Sequence, residues 1–181
     1  MQSMRLLQII TAITFFFSVG GCAAGMKPSA FETGKPRLDP VKFFVGHTRS
    51  SGVMENHGGK PTMRITTETA GILKDGLINI EQDLYPEGGK KNHRSWQLRH
   101  IDEHHVDATA NDIDGIAHGL LYGNEFSWTF RHRLADRKFI KHVRMSQNMY
   151  LMPDGQTMII RSVIRKFGIV VAQITEQFTK D

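Results

Sequence analysis

The sequence is poor in cysteine, in long apolar runs and in helical periodicity. It has one cysteine among 181 residues, so no disulfide can form within the chain. Its one long apolar run, residues 6–19, is shorter than the roughly 20 residues that a membrane-spanning helix needs. A chain of this length buries enough surface to fold as one domain without disulfides or a metal.

The sequence also lacks the common signatures of catalysis. We find no nucleophile elbow, phosphate-binding loop, Rossmann glycine pattern or cysteine–histidine pair, and therefore predict no enzyme activity, no catalytic residue and no cofactor. Asp112 and Asp114 have a spacing that could serve an acid–base pair, but they flank a turn, where aspartate caps the backbone. We favour the turn interpretation.

Histidines are frequent, and three of them fall in the segment HIDEHH at residues 100–105. Metal sites use histidine and carboxylate at short spacing. Here, however, a strand–turn–strand arrangement would place His100 and His104 on opposite sides of a hairpin tip. The spacing therefore favours a solvated turn, and we predict no metal site.

The charge balance is mildly basic, with 23 Lys and Arg against 18 Asp and Glu and a net charge of +5. The cations are scattered along the chain and form no stripe interleaved with aromatic residues, which argues against nucleic-acid binding. A small positive excess is compatible with contact to anionic lipid head groups.

The N-terminus has the organisation of a bacterial lipoprotein leader. A short basic start (residues 1–5) and the apolar run are followed by Val19-Gly20-Gly21-Cys22, which resembles a lipobox. This pattern predicts cleavage before Cys22 and lipidation of its sulfur and of the new N-terminus. Two or three acyl chains would hold the protein on a membrane, at about 0.8 kcal/mol per buried methylene. The alternative is an ordinary secretory signal with an incidental cysteine.

Three regions follow from this organisation: a lipoprotein signal peptide (1–21), a lipidated flexible tether (22–40) and a single β-barrel domain (41–181). The tether is rich in Gly, Pro and polar residues without periodicity. The residue after the cysteine is Ala23 and not aspartate, and in this respect the sequence resembles lipoproteins that are sorted to the outer membrane. We therefore expect a lipid-anchored protein of the bacterial cell envelope, on the outer membrane and facing the periplasm.

Period-two alternation of apolar and polar residues recurs from residue 41 onwards. Its clearest example is Phe126, Trp128 and Phe130, which alternate with polar neighbours. Turn signals such as Asp75-Gly76 and Gly123-Asn124 separate the alternating runs. The pattern predicts an all-β fold, an antiparallel meander of about eight to ten strands that closes into a barrel or forms a sandwich.

Several segments carry recognisable local motifs: Phe43–Gly46 followed by Gly52, Asp112–Gly119, Gly123-Asn124 with Trp128, Met149–Leu151, Arg161, Lys166–Gly168 and Phe178–Lys180. Together they resemble a family of short bacterial lipoproteins of unknown function whose predicted fold is a lipocalin-like (calycin) barrel. The resemblance covers about residues 40–180. The sequence departs from the family pattern at Ser146-Gln147-Asn148 and lacks the Gly-x-Trp signature of lipocalins after Gly46.

Two sets of residues are expected to matter in such a barrel. Turn, bulge or close-packing roles are predicted for Gly46, Gly115, Gly119, Gly123, Asn124 and Gly168, and a place at the base of the barrel for Arg161. The alternation points a mostly apolar set inward as candidate ligand-lining residues: Trp96, Phe126, Trp128, Phe130, Phe139, Lys141, Met145, Gln147 and Met149.

Methionine and aromatic side chains suit a lipophilic guest, and they suit a packed core equally well. Two functions stay open from the sequence. One is a membrane-tethered module that binds or carries a lipophilic small molecule; the other is a structural or partner-binding envelope lipoprotein without a ligand.

Overall fold

One antiparallel sheet closed into a barrel dominates the computed structural model, which describes residues 25–134 and 141–181. Each strand pairs with the next in the chain, and β1 pairs with β10 to close the sheet. This confirms the predicted all-β meander. The strands are β1 (Gly46–Asn56), β2 (Pro61–Lys74), β3 (Leu77–Pro86), β4 (Asn92–His100), β5 (His105–Ala110), β6 (Ile113–Tyr122), β7 (Glu125–Arg133), β8 (His142–Leu151), β9 (Thr157–Lys166) and β10 (Ile169–Lys180).

Alternation along each strand separates the inside of the barrel from the outside. In β7, Phe126, Trp128 and Phe130 are buried, whereas Arg131 and Arg133 are exposed. Successive side chains of a strand point to opposite faces of the sheet, so a closed sheet gathers one set of residues around its axis. These inward side chains form most of the core.

A short helix, α1 (Pro40–Phe44), closes one end of the barrel. The Asp39 side chain caps it by accepting hydrogen bonds from the backbone N of Val41 (2.9 Å) and Lys42 (3.2 Å). Phe43 and Phe44 are buried, and Lys180 at the end of β10 donates to the carbonyl oxygens of Phe43 and Val45. We call this the plugged end, and the opposite end, where β1 finishes and β10 starts, the rim end.

Residues 28–39, which we call the N-terminal strap, pack on the plugged end and include a 3-10 turn, Pro28–Phe31. Here the structure differs from the predicted flexible tether (22–40). Leu38 is 4 % exposed, and its backbone N donates to the carbonyl oxygen of Gly123 (2.8 Å). The Phe31 ring lies 5.5 Å from that of Tyr150. Two apolar anchors hold a segment whose overall composition resembles a linker.

Gly123 makes the close approach of the strap possible. Its φ is +52°, and a Cβ on this residue would lie 1.9 Å from the carbonyl oxygen of Phe31. Cys22, the leader and Phe139 lie outside the described residues. Within the described ranges, no helix combines the length and the apolar character needed to cross a membrane.

Candidate functional site: a cavity inside the barrel

A cavity of about 920 Å³ occupies the barrel interior, from Phe44 of the plug to Lys166 at the rim end. Its volume falls in the range of small-molecule pockets, and close-packed cores leave few voids larger than a water molecule. Most of its wall is apolar. The wall includes Ile65, Ile80, Trp96, Leu98, Trp128, Met145, Met149, Ile160, Ile174 and Phe178, with polar entries from Thr69, Gln82, Arg94, Asp112, His132, Gln147 and Glu176.

Two tryptophans stack on each other in this wall. Trp96 comes from β4 and Trp128 from β7, and their ring centroids are 4.6 Å apart at an interplanar angle of 17°. Phe130 meets both rings edge-on, at 5.3 Å and 5.9 Å. Aromatic pairs in stacked or edge-to-face geometry add roughly 0.5–1.5 kcal/mol beyond the area that they bury. The cluster gives the cavity a rigid aromatic side.

The structure places five of the predicted lining residues in the cavity wall: Trp96, Trp128, Met145, Gln147 and Met149. Phe126 and Phe130 are buried and pack against the Trp128 ring, but they do not line the cavity. The prediction for Lys141 is wrong, because its side chain is exposed. It has the inward phase of β8, yet that strand begins only at His142, so Lys141 lies beyond the sheet at the rim end.

The predicted role of Arg161 is also wrong. Arg161 is exposed, and its Nη2 donates to Gln173 Oε1 (2.8 Å) on the outer face. Its neighbours Ile160 and Ser162 take the inward positions of β9 and are both buried. An apolar run in a strand buries every second residue only, so the residues around Arg161 are no reason to expect its burial.

Glycines and one asparagine occupy the turn and packing positions predicted for them. Gly46, Gly115, Gly123 and Gly168 have positive φ. Gly119 lies against the Phe126 ring, where a Cβ would approach Cε2 to 2.5 Å. The Asn124 side chain donates to the carbonyl oxygen of Leu151 (3.0 Å) and so joins two hairpins at the plugged end.

Gln147 is the centre of a hydrogen-bonded chain across three strands. Trp128 Nε1 donates to Gln147 Oε1 (2.7 Å), and Gln147 Nε2 donates to Ser162 Oγ (2.8 Å). Ser162 is fully buried. Each side-chain nitrogen and oxygen in this series of hydrogen bonds therefore has a partner. The hydrogen bond to Gln147 holds the Trp128 ring in a fixed orientation.

An arginine that sequence reasoning missed lies in the wall near the rim. Arg94 is 8 % exposed, its Nε donates to Asp112 Oδ2 (2.7 Å), and its guanidinium lies over the Trp96 ring at 5.5 Å. Arg94 Nη2 lies 3.3 Å from His132 Nδ1. Burial, followed by the charge of Arg94, lowers the pKa of His132, whose Nδ1 also lies 3.3 Å from Asp112 Oδ2. Asp112 thus pairs with a buried arginine, which the turn interpretation does not include.

Glu176 is another ionisable residue of the cavity wall that was not among the predicted lining residues. It is 8 % exposed, and its Oε1 accepts hydrogen bonds from Ser50 Oγ (2.9 Å) and Thr67 Oγ1 (3.0 Å). Burial raises the pKa of this carboxyl, and the opposing effects of the two hydroxyls and of Arg94 are smaller. Arg94 and Glu176 share one signal: each is a charged residue in the inward phase of an alternating strand.

A group of possible metal ligands lies outside the barrel. Ligand atoms of Glu32, Glu103 and His104 come within 4.8 Å of one another. The Arg37 guanidinium forms an ion pair with Glu32 and lies 3.3 Å from Glu103. A cation of the protein itself therefore balances these carboxylates, and Asp102 accepts from the backbone N of His104 (2.9 Å) as in an ordinary turn.

The fold and the cavity define the class of protein: a ten-stranded, lipocalin-like barrel with a plugged end and an internal cavity. The chain belongs to the family described as "Protein of unknown function (DUF3833)", whose model matches residues 16–180. Comparison with curated proteins finds no match.

Among solved structures, the barrel is similar to the S-type phycobiliprotein lyase CPES from Guillardia theta. The TM-score is 0.57 at 12 % sequence identity, and the match covers 86 % of this chain and 98 % of the lyase. A likeness at this identity concerns the fold.

Proposed function

We propose that this protein binds one lipophilic small molecule inside its barrel and holds or hands it over in the bacterial cell envelope. The observation that carries the proposal is the cavity of about 920 Å³, whose wall is mainly aromatic, aliphatic and methionine side chains with a few polar groups. Sites for small molecules have this composition and size. A packed core, the alternative for the same residues, would leave no such volume.

The function proposed is binding, not catalysis. The S-type phycobiliprotein lyase shares the barrel fold, but a fold carries no reaction with it. Its likeness supports the proposal only in that a barrel of this architecture is found in a protein that acts on another molecule.

Tryptophan fluorescence tests the proposal, because the chain has two tryptophans and both line the cavity. The lipophilic fluorophore prodan absorbs where tryptophan emits, so binding in the cavity quenches Trp96 and Trp128. We expect saturable quenching at one probe per barrel. A cavity-filling variant that adds no tryptophan, Met149→Phe, should weaken this binding, and non-saturable quenching that is equal in both proteins contradicts the proposal.

We further propose that lipid on Cys22 anchors the protein to the outer membrane, with the barrel in the periplasm. The support is the lipobox-like sequence and the place where the chain joins the barrel. Five residues lie between Cys22 and Pro28, so the six steps from one Cα to the next span at most about 21 Å, and Pro28 begins the strap at the plugged end. The plugged end then faces the membrane and the rim end faces away.

Mass spectrometry under denaturing conditions tests the anchor. We expect the extracted protein to begin at Cys22 and to carry the added mass of diacylglycerol and of an acyl chain, and we expect Cys22→Ser to retain the leader and lack the lipid. A wild-type chain with an unmodified leader overturns the localisation.

A second candidate, binding of a protein partner through the outer surface, is favoured by exposed apolar residues at the β9–β10 turn. Phe167 is 89 % exposed and Ile169 is 70 % exposed. If this turn is a docking site, cross-linking in cells should give an adduct of defined mass that Phe167→Ser with Ile169→Ser removes. The control, Ile72→Ser, changes an exposed apolar residue at the plugged end and should leave the adduct unchanged.

A further inference from the structure

The inside of the barrel is polar on one side, around Glu176. The inward residues of β1 and β2 there include Thr48, Ser50, Thr67 and Thr69, all of them buried. Burying hydroxyl groups and a carboxyl costs free energy unless each is hydrogen-bonded. A barrel selected only for a stable core would carry apolar residues at these positions. Thr69 lines the cavity together with Glu176, and Ser50 and Thr67 contact Glu176, so this polar side of the interior calls for a functional explanation.

Glu176 is only half satisfied by its neighbours. Ser50 and Thr67 both donate to the same oxygen, Oε1. In the part of the chain that the structure describes, no donor reaches Oε2, and the residue lines the cavity. The carboxyl is therefore held by one oxygen and offers the other to whatever fills the barrel.

Space beside Glu176 is kept free by Gly52, which is its partner across β1 and β10. A Cβ at residue 52 would lie 2.4 Å from Glu176 Cγ. The inward residues around the carboxyl on the adjoining strands β1, β2 and β9 are neutral: Ser50, Thr67 and Ser162. The cation of these strands that lines the cavity, Lys166 of β9, lies at the rim end, where its Nζ donates to the carbonyl oxygen of His142.

The other charged or titratable groups of the cavity wall are His93, Arg94, Asp112, His132, Arg133 and Lys166. Arg94 is already committed to Asp112. Burial, the largest influence, raises the pKa of the Glu176 carboxyl and so shifts this group towards its neutral form. A neutral carboxyl whose Oε1 accepts two hydrogen bonds carries its proton on Oε2 and is a hydrogen-bond donor.

We infer that Glu176 is the polar recognition group of the cavity and donates a hydrogen bond from Oε2 to an acceptor oxygen of the bound molecule. This rests on the proposed function. It narrows the ligand class to neutral lipophilic molecules with a carbonyl-type oxygen, such as a ketone, ester or amide, placed within the apolar body. A positively charged ligand is disfavoured, because Arg94 lines the same cavity and a neutral Glu176 carboxyl supplies no negative charge to balance the ligand.

The test compares prodan, a neutral ketone, with the analogue in which the carbonyl is reduced to a methylene. Glu176→Gln keeps a donor and the shape, because its amide oxygen accepts from Ser50 and Thr67 while its NH₂ faces the cavity. Glu176→Leu removes the donor. We expect the affinity of Glu176→Gln for prodan to lie within about threefold of that of wild type. The affinity of Glu176→Leu should fall by roughly fivefold to tenfold, the effect of one hydrogen bond. The methylene analogue should bind all three proteins alike.

The outcomes separate the two proposals. If neither probe binds wild type saturably, the proposed function fails. If both probes bind and Glu176→Leu binds prodan as wild type does, the cavity binds ligands and this inference fails. Circular dichroism and thermal melting establish that each variant is folded.

The pH profile is a second readout that does not depend on the Leu variant. Prodan affinity of wild type should fall as pH rises through the pKa of Glu176, since an ionised carboxylate cannot donate, while Glu176→Gln should give a flat profile. If the prodan affinity of wild type is as independent of pH as that of Glu176→Gln, the inference is overturned.

Discussion

Gly52 is the residue on which the geometry of the polar side depends most directly. A methyl group there would meet Glu176 Cγ and the carbonyl oxygen of Thr175, both at 2.4 Å. Gly52→Ala should therefore lower the free energy of unfolding by about 1–3 kcal/mol, the usual effect of overpacking. Urea denaturation measures it. Gly58→Ala, whose Cβ would come no closer than 3.4 Å to its nearest contact, is the matched control and should change stability by less than about 0.5 kcal/mol.

Glu176 also links stability to pH. Its pKa is raised in the folded state above the unfolded value of about 4.3. The folded form thus binds the proton more tightly, and the stability contributed by the neutral group is complete below about pH 4 and is lost as pH rises through the folded pKa. Glu176→Gln should gain stability relative to wild type as pH increases from 4 to 8. Glu68→Gln, an exposed glutamate of β2, should show no such trend.

Single residues also show how much of the candidate site is predictable from the sequence. The inward phase of β7 and β8 is visible as alternation, and it correctly predicts that Trp128, Met145, Gln147 and Met149 point into the barrel. Arg94 and Glu176 have the same phase in β4 and β10, but their charge argues against an interior position. The stacking of Trp96 on Trp128 is not predictable from alternation, because it depends on the curvature that brings β4 and β7 together.

At the scale of elements, the β9–β10 turn combines strain with exposure. Phe167 and Gly168 have φ of +51° and +81°, the conformation of a two-residue type I′ hairpin, in which asparagine commonly takes the first position. A bulky residue in the left-handed region costs roughly 1–2 kcal/mol. Phe167→Asn should raise the free energy of unfolding by about 0.5–1 kcal/mol. Phe167→Val, which also removes the aromatic ring but is β-branched, should lower it, and equal effects of both variants contradict this explanation.

The N-terminal strap is the element in which composition is most misleading. Gly, Pro and polar residues predict a tether, yet Leu38 inserts into the core beside Gly123. Leu38→Ala should destabilise the barrel by about 2–5 kcal/mol, as expected when a buried leucine is truncated. Met26→Ala, at a residue that is 69 % exposed, should be neutral within about 0.5 kcal/mol. If both variants unfold at the same urea concentration, the strap contributes nothing to stability.

At the scale of the whole molecule, the two ends of the barrel differ in structure. The plugged end carries α1 and the N-terminal strap, while the cavity extends away from it towards the rim end. With the proposed lipid anchor, this arrangement leaves the rim accessible from the periplasm for loading and release of a guest. The meander explains why so much of the architecture is predictable: every pairing joins neighbours in the chain except the closure of β1 on β10.

Mass spectrometry of the protein extracted in a mild detergent tests the central claim, that the barrel holds a small molecule, most directly. The mass under native conditions is compared with the mass under denaturing conditions, so that covalent lipid cancels. We expect wild type to show one discrete additional mass of a small lipophilic molecule, and Met149→Trp, which fills part of the cavity, to show less of it. Identical native and denatured masses for wild type, with prodan also failing to bind, would contradict the account.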